Sequence, residues 1–154
     1  MNEEALAHPN GALERLAASL KAGETPISPH VIDPTERPVF GLLAALGPRS
    51  ASSPGEYALV VESVREGYLL HYGESRLLRG HDRDLALLAG DYLYALGIQS
   101  LAALGDVEAV ALLSELIGRC AQLHTEDRVE EVPALWRAAA FAVGGRDHDD
   151  LPVP

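Results

Sequence analysis

Apolar residues recur at intervals of three and four along most of this chain, which is the spacing of helices that bury one face. Leu13, Leu16 and Leu20, for example, share one stripe after the turn signal at Pro9 and Asn10. The spacing predicts six helices, over residues 11–22, 39–46, 56–72, 84–104, 106–124 and 132–143. No strand-length alternation between hairpin turns interrupts them, so the predicted fold class is all-α.

Proline, serine and glycine mark the segments between these helices. Four prolines exclude a continuous helix from Gly23 to Pro38 and predict an extended loop. A serine-rich loop follows over residues 49–55. After the last helix the chain turns acidic and is bracketed by prolines. The predicted organisation is one helical domain over residues 1–145 and a mobile acidic tail over 146–154.

Individual residues indicate where several helices begin and end. Gly73 and Gly105 are predicted to stop the helices that precede them. Asp82 or Asp84 is predicted to cap the helix over 84–104, and Asp106 the helix after it, because a carboxylate can accept the free N–H groups of a first turn.

The helix over residues 84–104 is apolar on almost every side. Helices of that composition are normally buried on several sides, so we expect this one to lie in a core or an interface. The candidates for core or interface positions in this helix and the next are Leu88, Tyr92, Leu93, Leu96, Leu113 and Ile117. A charge placed at Leu93 or Leu96 is expected to abolish folding or association.

Composition and charge narrow the classes of function. A formal net charge of −11 argues against binding to nucleic acid or to anionic lipid, which reward clustered lysine and arginine. The apolar runs fall short of the roughly 18 residues of a membrane span, and the acidic start of the chain is unlike a secretory signal. The expected location is cytoplasmic. Cys120 has no second cysteine to pair with and lies on an apolar stripe, which predicts a buried reduced thiol.

Two clusters mix histidine with carboxylates, at residues 81–84 and 147–150. Such mixtures can ligate transition metals. The first cluster, however, is also typical of a helix start with acidic residues near the dipole, and the second lies in the predicted tail. We therefore predict no metal site and, because no nucleophile constellation or phosphate loop occurs, no catalytic residue.

Three landmarks carry a resemblance to a known family. They are Val61-Glu62, Leu69-Leu70-His71 and the segment from Leu87 to Leu93, which reads L-L-A-G-D-Y-L. In this order and spacing they resemble the trans-isoprenyl (polyprenyl) diphosphate synthases. The resemblance implies an antiparallel helical bundle like the N-terminal half of the isoprenoid synthase fold. Asp91, within the last landmark, is expected to serve packing and local hydrogen bonding.

The metal-binding motif of that family is missing from this chain. Registered on His71, its D-D-x-x-D falls on residues 72–76, which read Y-G-E-S-R. Mg²⁺ needs carboxylates to assist departure of the diphosphate, and Glu74 alone stands at a position that does not match. Of the family's basic pair that binds diphosphate, only Arg37 is present, so it is the one candidate substrate-binding residue, with a surface arginine as the alternative.

The resemblance and the missing motif together favour one branch of the family. The small, non-catalytic subunit of two-component enzymes such as heptaprenyl diphosphate synthase lacks the aspartate motifs and carries an L-A-G-D-Y segment. The chain is therefore expected to be a subunit or regulator of such an enzyme. It would have no cofactor of its own and would meet Mg²⁺ only through a catalytic partner. The alternative is a stand-alone homodimer of the same fold that binds a lipid or another protein.

Overall fold

Six α-helices form the computed structural model, which describes Glu4 and residues 7–146. They are α1 (Ala12–Ala22), α2 (Val39–Ala45), α3 (Pro54–Tyr72), α4 (Arg83–Ala103), α5 (Val107–Thr125) and α6 (Val132–Val143). Within the described residues the only β pairing is an isolated antiparallel bridge between Val31 and Leu78. The predicted all-α class is confirmed, and each helix begins and ends within two residues of its predicted bounds.

Aspartate side chains cap the starts of two helices. The Asp82 carboxylate accepts the backbone N–H of Leu85 at 2.8 Å, which caps α4. The Asp106 carboxylate does the same for Ala109 at 3.0 Å at the start of α5. Its second oxygen accepts the phenol of Tyr57 at 2.6 Å. Burial, reinforced by this bond, raises the pKa of Tyr57 to about 12. The cap of α5 thus also fastens α5 to α3.

The central helix is α3, which is buried on nearly all sides. One of its faces joins a core with α5 and α6, formed around Val61, Val64 and Trp136. Its other side meets α1 and α4 in a second core. The expectation that α4 would be buried on several sides is wrong, because α4 buries only one face, made of Ala86, Ala89, Gly90, Leu93, Gly97 and Leu101. The central place is taken by α3, whose buried polar groups find partners inside the fold.

Helices α3 and α4 run antiparallel and approach closely. Gly97 faces Val64 in the middle of α3, whereas Gly90 faces His71 near its end. A Cβ at either glycine would overlap those side chains, so the missing side chains set the distance between the helices. Helix α5 runs parallel to α3, since Tyr57 meets Asp106 and Tyr68 meets His124. In an up-and-down bundle consecutive helices are antiparallel, so each helix is parallel to the next but one, as α3 is to α5.

A tight junction joins the ends of α2 and α6. The backbones of Gly47 and Gly144 are in close contact, and a Cβ on Gly47 would overlap the carbonyl of Gly144, whereas a Cβ on Gly144 would overlap the carbonyl of Ala44. The backbone N–H of Arg49 donates to the carbonyl of Gly144 at 2.9 Å, and its guanidinium donates to the carbonyl of Ala142 at 3.1 Å. Arginine here supplies donors for carbonyls that the end of α6 leaves free.

Cys120 lies in the larger core, 1% exposed, and is free. Burial raises the pKa of its thiol to about 11. The thiolate, which is the reactive form, is therefore scarce near neutral pH, and the predicted buried reduced thiol is found.

Candidate functional site: an arginine-lined cavity and an exposed helix face

Two fully buried glutamates on α3, Glu62 and Glu66, hold one arginine between them. The guanidinium of Arg76 donates to Glu62 Oε2 and to Glu66 Oε1, each at 2.8 Å. The backbone N–H of Gly41 donates to the other Glu62 oxygen at 3.0 Å. Burial alone would lower the pKa of Arg76, but the two carboxylates outweigh it and raise that pKa above its ordinary value. Arg76 is therefore a permanent buried cation.

Ser75 completes this network and fixes the loop that follows α3. Its hydroxyl donates to Glu66 Oε2 at 2.6 Å and accepts the backbone N–H groups of Leu77 and Leu78 at 3.1 and 2.9 Å. Ser75 and Arg76 are two of the positions registered on the missing metal motif. In this chain they bind the loop to α3 through hydrogen bonds and ion pairs. Among the described residues, no group of three or more metal-ligating side chains occurs.

A second cation, Arg65, lies on α3 itself, between Glu62 and Glu66 in sequence, and its guanidinium is surrounded by aromatic rings. Its guanidinium carbon is 4.9 Å from the ring centre of Phe40 and 5.0 Å from those of Tyr68 and Trp136. No carboxylate of the described residues forms an ion pair with it. Burial, and then the charge of Arg76, lowers its pKa from the ordinary value. The ring faces hold this cation in place, and its charge remains available to an anion.

Both arginines line a cavity of about 240 Å³, and Arg37 lies exposed at its edge. The full lining is Glu36, Arg37, Val39, Phe40, Arg65, Leu69, Glu74 and Arg76. Arg76 Nη2 is buried without a hydrogen-bond partner among the described residues, and a buried donor is costly to leave unpaired. Both carboxylates of the lining, Glu36 and Glu74, are on exposed residues. The inner wall offers the guanidinium of Arg65 and the unbonded Nη2 of Arg76 as donors, which suits a small anion.

Of these three arginines, sequence reasoning found only Arg37. The structure places Arg37 beside Arg65 and Arg76, which come from α3 and from the loop after it. The sequence held one signal for Arg65, which falls on the apolar stripe of α3 between Val61 and Tyr68. A charged residue on such a stripe is unfavourable unless the fold compensates its burial. Nothing in the sequence indicated that Arg76 would fold back onto α3.

The second candidate site is a face of α4 that exposes large apolar side chains to solvent. Leu88 is 68% and Tyr92 47% exposed, so neither is a core residue. With Ala95, Gln99 and Ala102, which are also exposed, they follow intervals of four and three residues. We call these five residues the α4 stripe. Alternating intervals of four and three are the spacing at which one helix packs along another.

The other candidate positions divide between core and surface. Leu93 and Leu113 are fully buried, and Leu96 and Ile117 are half-buried. Asp91 was expected to serve packing and local hydrogen bonding. Its hydrogen bond is found, with one oxygen 3.0 Å from Nε2 of His71, but 71% of its side chain is exposed, so the packing role is not. In the cluster at 81–84, the side chain of Asp82 caps α4. The cluster at 147–150 and the predicted tail beyond Arg146 lie outside the described residues.

Comparison of the chain with protein-family models, curated proteins and solved structures found no match. One helix of the described part, α4, is long and apolar enough to cross a membrane by length and composition, a test that a core helix also passes. Function is therefore inferred from the arginine-lined cavity, the α4 stripe and the sequence landmarks.

Proposed function

We propose that this chain is a non-catalytic subunit of a two-component polyprenyl diphosphate synthase and works in the cytoplasm. The observation that carries the proposal is the cavity in which Arg65 and Arg76 face a common space, beside the loop registered on the metal motif. Such a site can hold a diphosphate group through charge-assisted hydrogen bonds without a metal ion. It supports binding of a prenyl diphosphate, whereas ionisation of that substrate is assigned to the partner.

The division of labour follows from the chemistry of the loop. Cleavage of an allylic C–O bond leaves a diphosphate whose charge Mg²⁺ must neutralise. Ser75 and Arg76 are bonded to Glu62 and Glu66, so these two positions of the loop supply no ligand for Mg²⁺. The catalytic subunit supplies both aspartate motifs and their Mg²⁺. This chain would then position the substrate, shape the cavity in which the prenyl chain grows, or stabilise the active subunit.

Binding of inorganic diphosphate, measured by isothermal titration calorimetry, tests the cavity. Arg65→Gln should weaken binding about tenfold or more, since a hydrogen bond to a charged group contributes about 1.5–3 kcal/mol. Arg37→Ala should change it less than about threefold, because Arg37 lies at the exposed edge and its pairing is screened. Arg137→Gln, an exposed arginine outside the cavity, is the control. Equal binding by the wild type and Arg65→Gln would remove the cavity from the proposal.

The partner is tested by affinity capture of the tagged chain from its own host, with mass spectrometry of proteins recovered in near-stoichiometric amount. The expected result is a larger prenyl diphosphate synthase that carries both aspartate motifs. Addition of this chain to that synthase should raise its activity or change its product length. Recovery of the bait alone, as a dimer, would favour instead the alternative of a homodimer with another task.

A further inference from the structure

We infer that the α4 stripe is the surface that receives a helix of the catalytic partner, and that the partner helix is apolar with basic residues along its edges. The inference rests on the proposed function and adds the place and the chemistry of the contact. It starts from the exposure of Leu88 and Tyr92, the two large side chains of the stripe.

The spacing of the stripe fits a helix better than it fits a loop or a flat sheet. Its five positions extend over two heptads and lie on one line along α4. The facing helix can therefore follow α4 for about 20 Å at a rise of 1.5 Å per residue. No residue of the stripe is charged, so covering it requires no ion to leave water.

The sizes along the stripe specify what the facing helix carries. Leu88 and Tyr92 project near one end, and Ala95 and Ala102 leave room towards the other. A complementary helix places small residues against the first pair and large apolar residues against the alanines, since packed interfaces interdigitate. Gln99 lies between the alanines, and its amide requires a hydrogen-bond partner once it is covered. That requirement fixes the register of the two helices.

Charge selects a different protein as the occupant in preference to a second copy. Each copy carries a formal charge of −11, and a net charge far from zero favours the monomer through repulsion. Within one turn of Leu88 on α4, Asp84 and Asp91 are exposed carboxylates, and Arg83 is an exposed cation next to Asp84. A facing helix with lysine or arginine along its edges would meet these carboxylates. Such charge complementarity speeds association and excludes acidic competitors.

Two further exposed apolar side chains lie beyond the last residue of α4. Leu104 is 41% and Val107, the first residue of α5, 78% exposed. A standard interface buries about 800 Å² on each partner, more than Leu88 and Tyr92 alone can provide. The contact therefore has to include exposed residues outside the stripe, and Leu104 and Val107 are apolar candidates for them.

The test is binding of the wild-type chain and its variants to the purified host synthase that carries both aspartate motifs, measured by bio-layer interferometry. Leu88→Asp should weaken binding at least tenfold. The matched control is Leu46→Asp, because Leu46 is 63% exposed on a different surface, and it should bind as the wild type does. Raising the salt concentration about tenfold, from roughly 50 to 500 mM, shortens the screening length about threefold and should slow association. Circular dichroism should show that both variants are folded.

Each other outcome has a defined meaning. If the synthase binds the wild type and both variants equally, the stripe is not the interface and the proposed function stands. If the synthase does not bind the wild type, the proposed function fails and the inference fails with it. If Leu88→Asp instead abolishes a dimer of the chain itself, or its binding to phosphatidylcholine vesicles, the occupant inferred here is wrong.

Discussion

Arg76→Met is expected to lower the free energy of unfolding by about 3–5 kcal/mol, a large share of the roughly 5–15 kcal/mol by which a domain is usually stable. The substitution keeps most of the side-chain volume but removes the charge that Glu62 and Glu66 share. Both carboxylates are fully buried, and each would lose its 2.8 Å ion pair with Arg76. Urea unfolding followed by circular dichroism measures the change.

Two further variants separate the lost ion pairs from a general effect of losing an arginine. Arg83→Met removes an exposed arginine that forms no ion pair among the described residues, and stability should change by less than about 0.5 kcal/mol. Combining Arg76→Met with Glu62→Gln and Glu66→Gln should recover part of the loss, because unpaired buried charge is the main cost. A triple variant no more stable than Arg76→Met would contradict this account.

Leu93→Asp is expected to prevent folding altogether. Leu93 is fully buried in the core formed by α1, α3 and α4, and its backbone carbonyl accepts the hydroxyl of Ser63 at 2.8 Å. The new carboxylate would have no cation beside it in that core, and burying an unpaired charge costs several kcal/mol. Thermal unfolding and expression in the soluble fraction measure the result.

The control lies on the same helix, five residues earlier. Leu88→Asp makes the same substitution at a position that is 68% exposed, and it should leave thermal stability nearly unchanged. Leu96→Asp, at a half-buried position, should fall between the two. Equal loss of stability at Leu88 and Leu93 would mean that the outer face of α4 is covered in the folded protein.

The helices themselves could be predicted because local signals determine them. Intervals of three and four apolar residues locate each helix, and the carboxylates of Asp82 and Asp106 cap α4 and α5 as expected. Four prolines keep the segment after α1 out of regular helix, apart from a short turn at Ser28–His30. All of these signals depend on residues only a few positions apart in the sequence.

The arrangement of the helices could not be read in the same way. Nothing in the sequence indicated that Glu62 and Glu66 would be buried, yet both are, because Arg76 approaches them from a loop. Conversely, the leucine and tyrosine content of α4 indicated burial, although Leu88 and Tyr92 lie outside. The hydropathy of a side chain reflects the free energy of removing it from water. It does not include the ion pair or hydrogen bond that can compensate for that removal in the folded protein.

The candidate site shows the same limit. Arg37 could be found because it belongs to a recognisable motif. Arg65 and Arg76 join it only through tertiary structure: the first needs the rings of Phe40 and Trp136, and the second needs the buried carboxylates of α3. The relation between the three arginines depends on contacts between segments far apart in sequence.

The junction of α2 and α6 has a consequence for the order in which the protein folds. Its contacts connect residues 93 positions apart, between Arg49 and Ala142, so the early helix α2 stays incompletely anchored until the last helix has been made. During synthesis α6 must leave the ribosome before that closure forms, whereas the partners of the two α3 glutamates, which lie between residues 41 and 76, are made well before it. Contacts between residues so far apart in sequence slow folding. Until they form, the growing chain exposes apolar surface of the kind that chaperones bind.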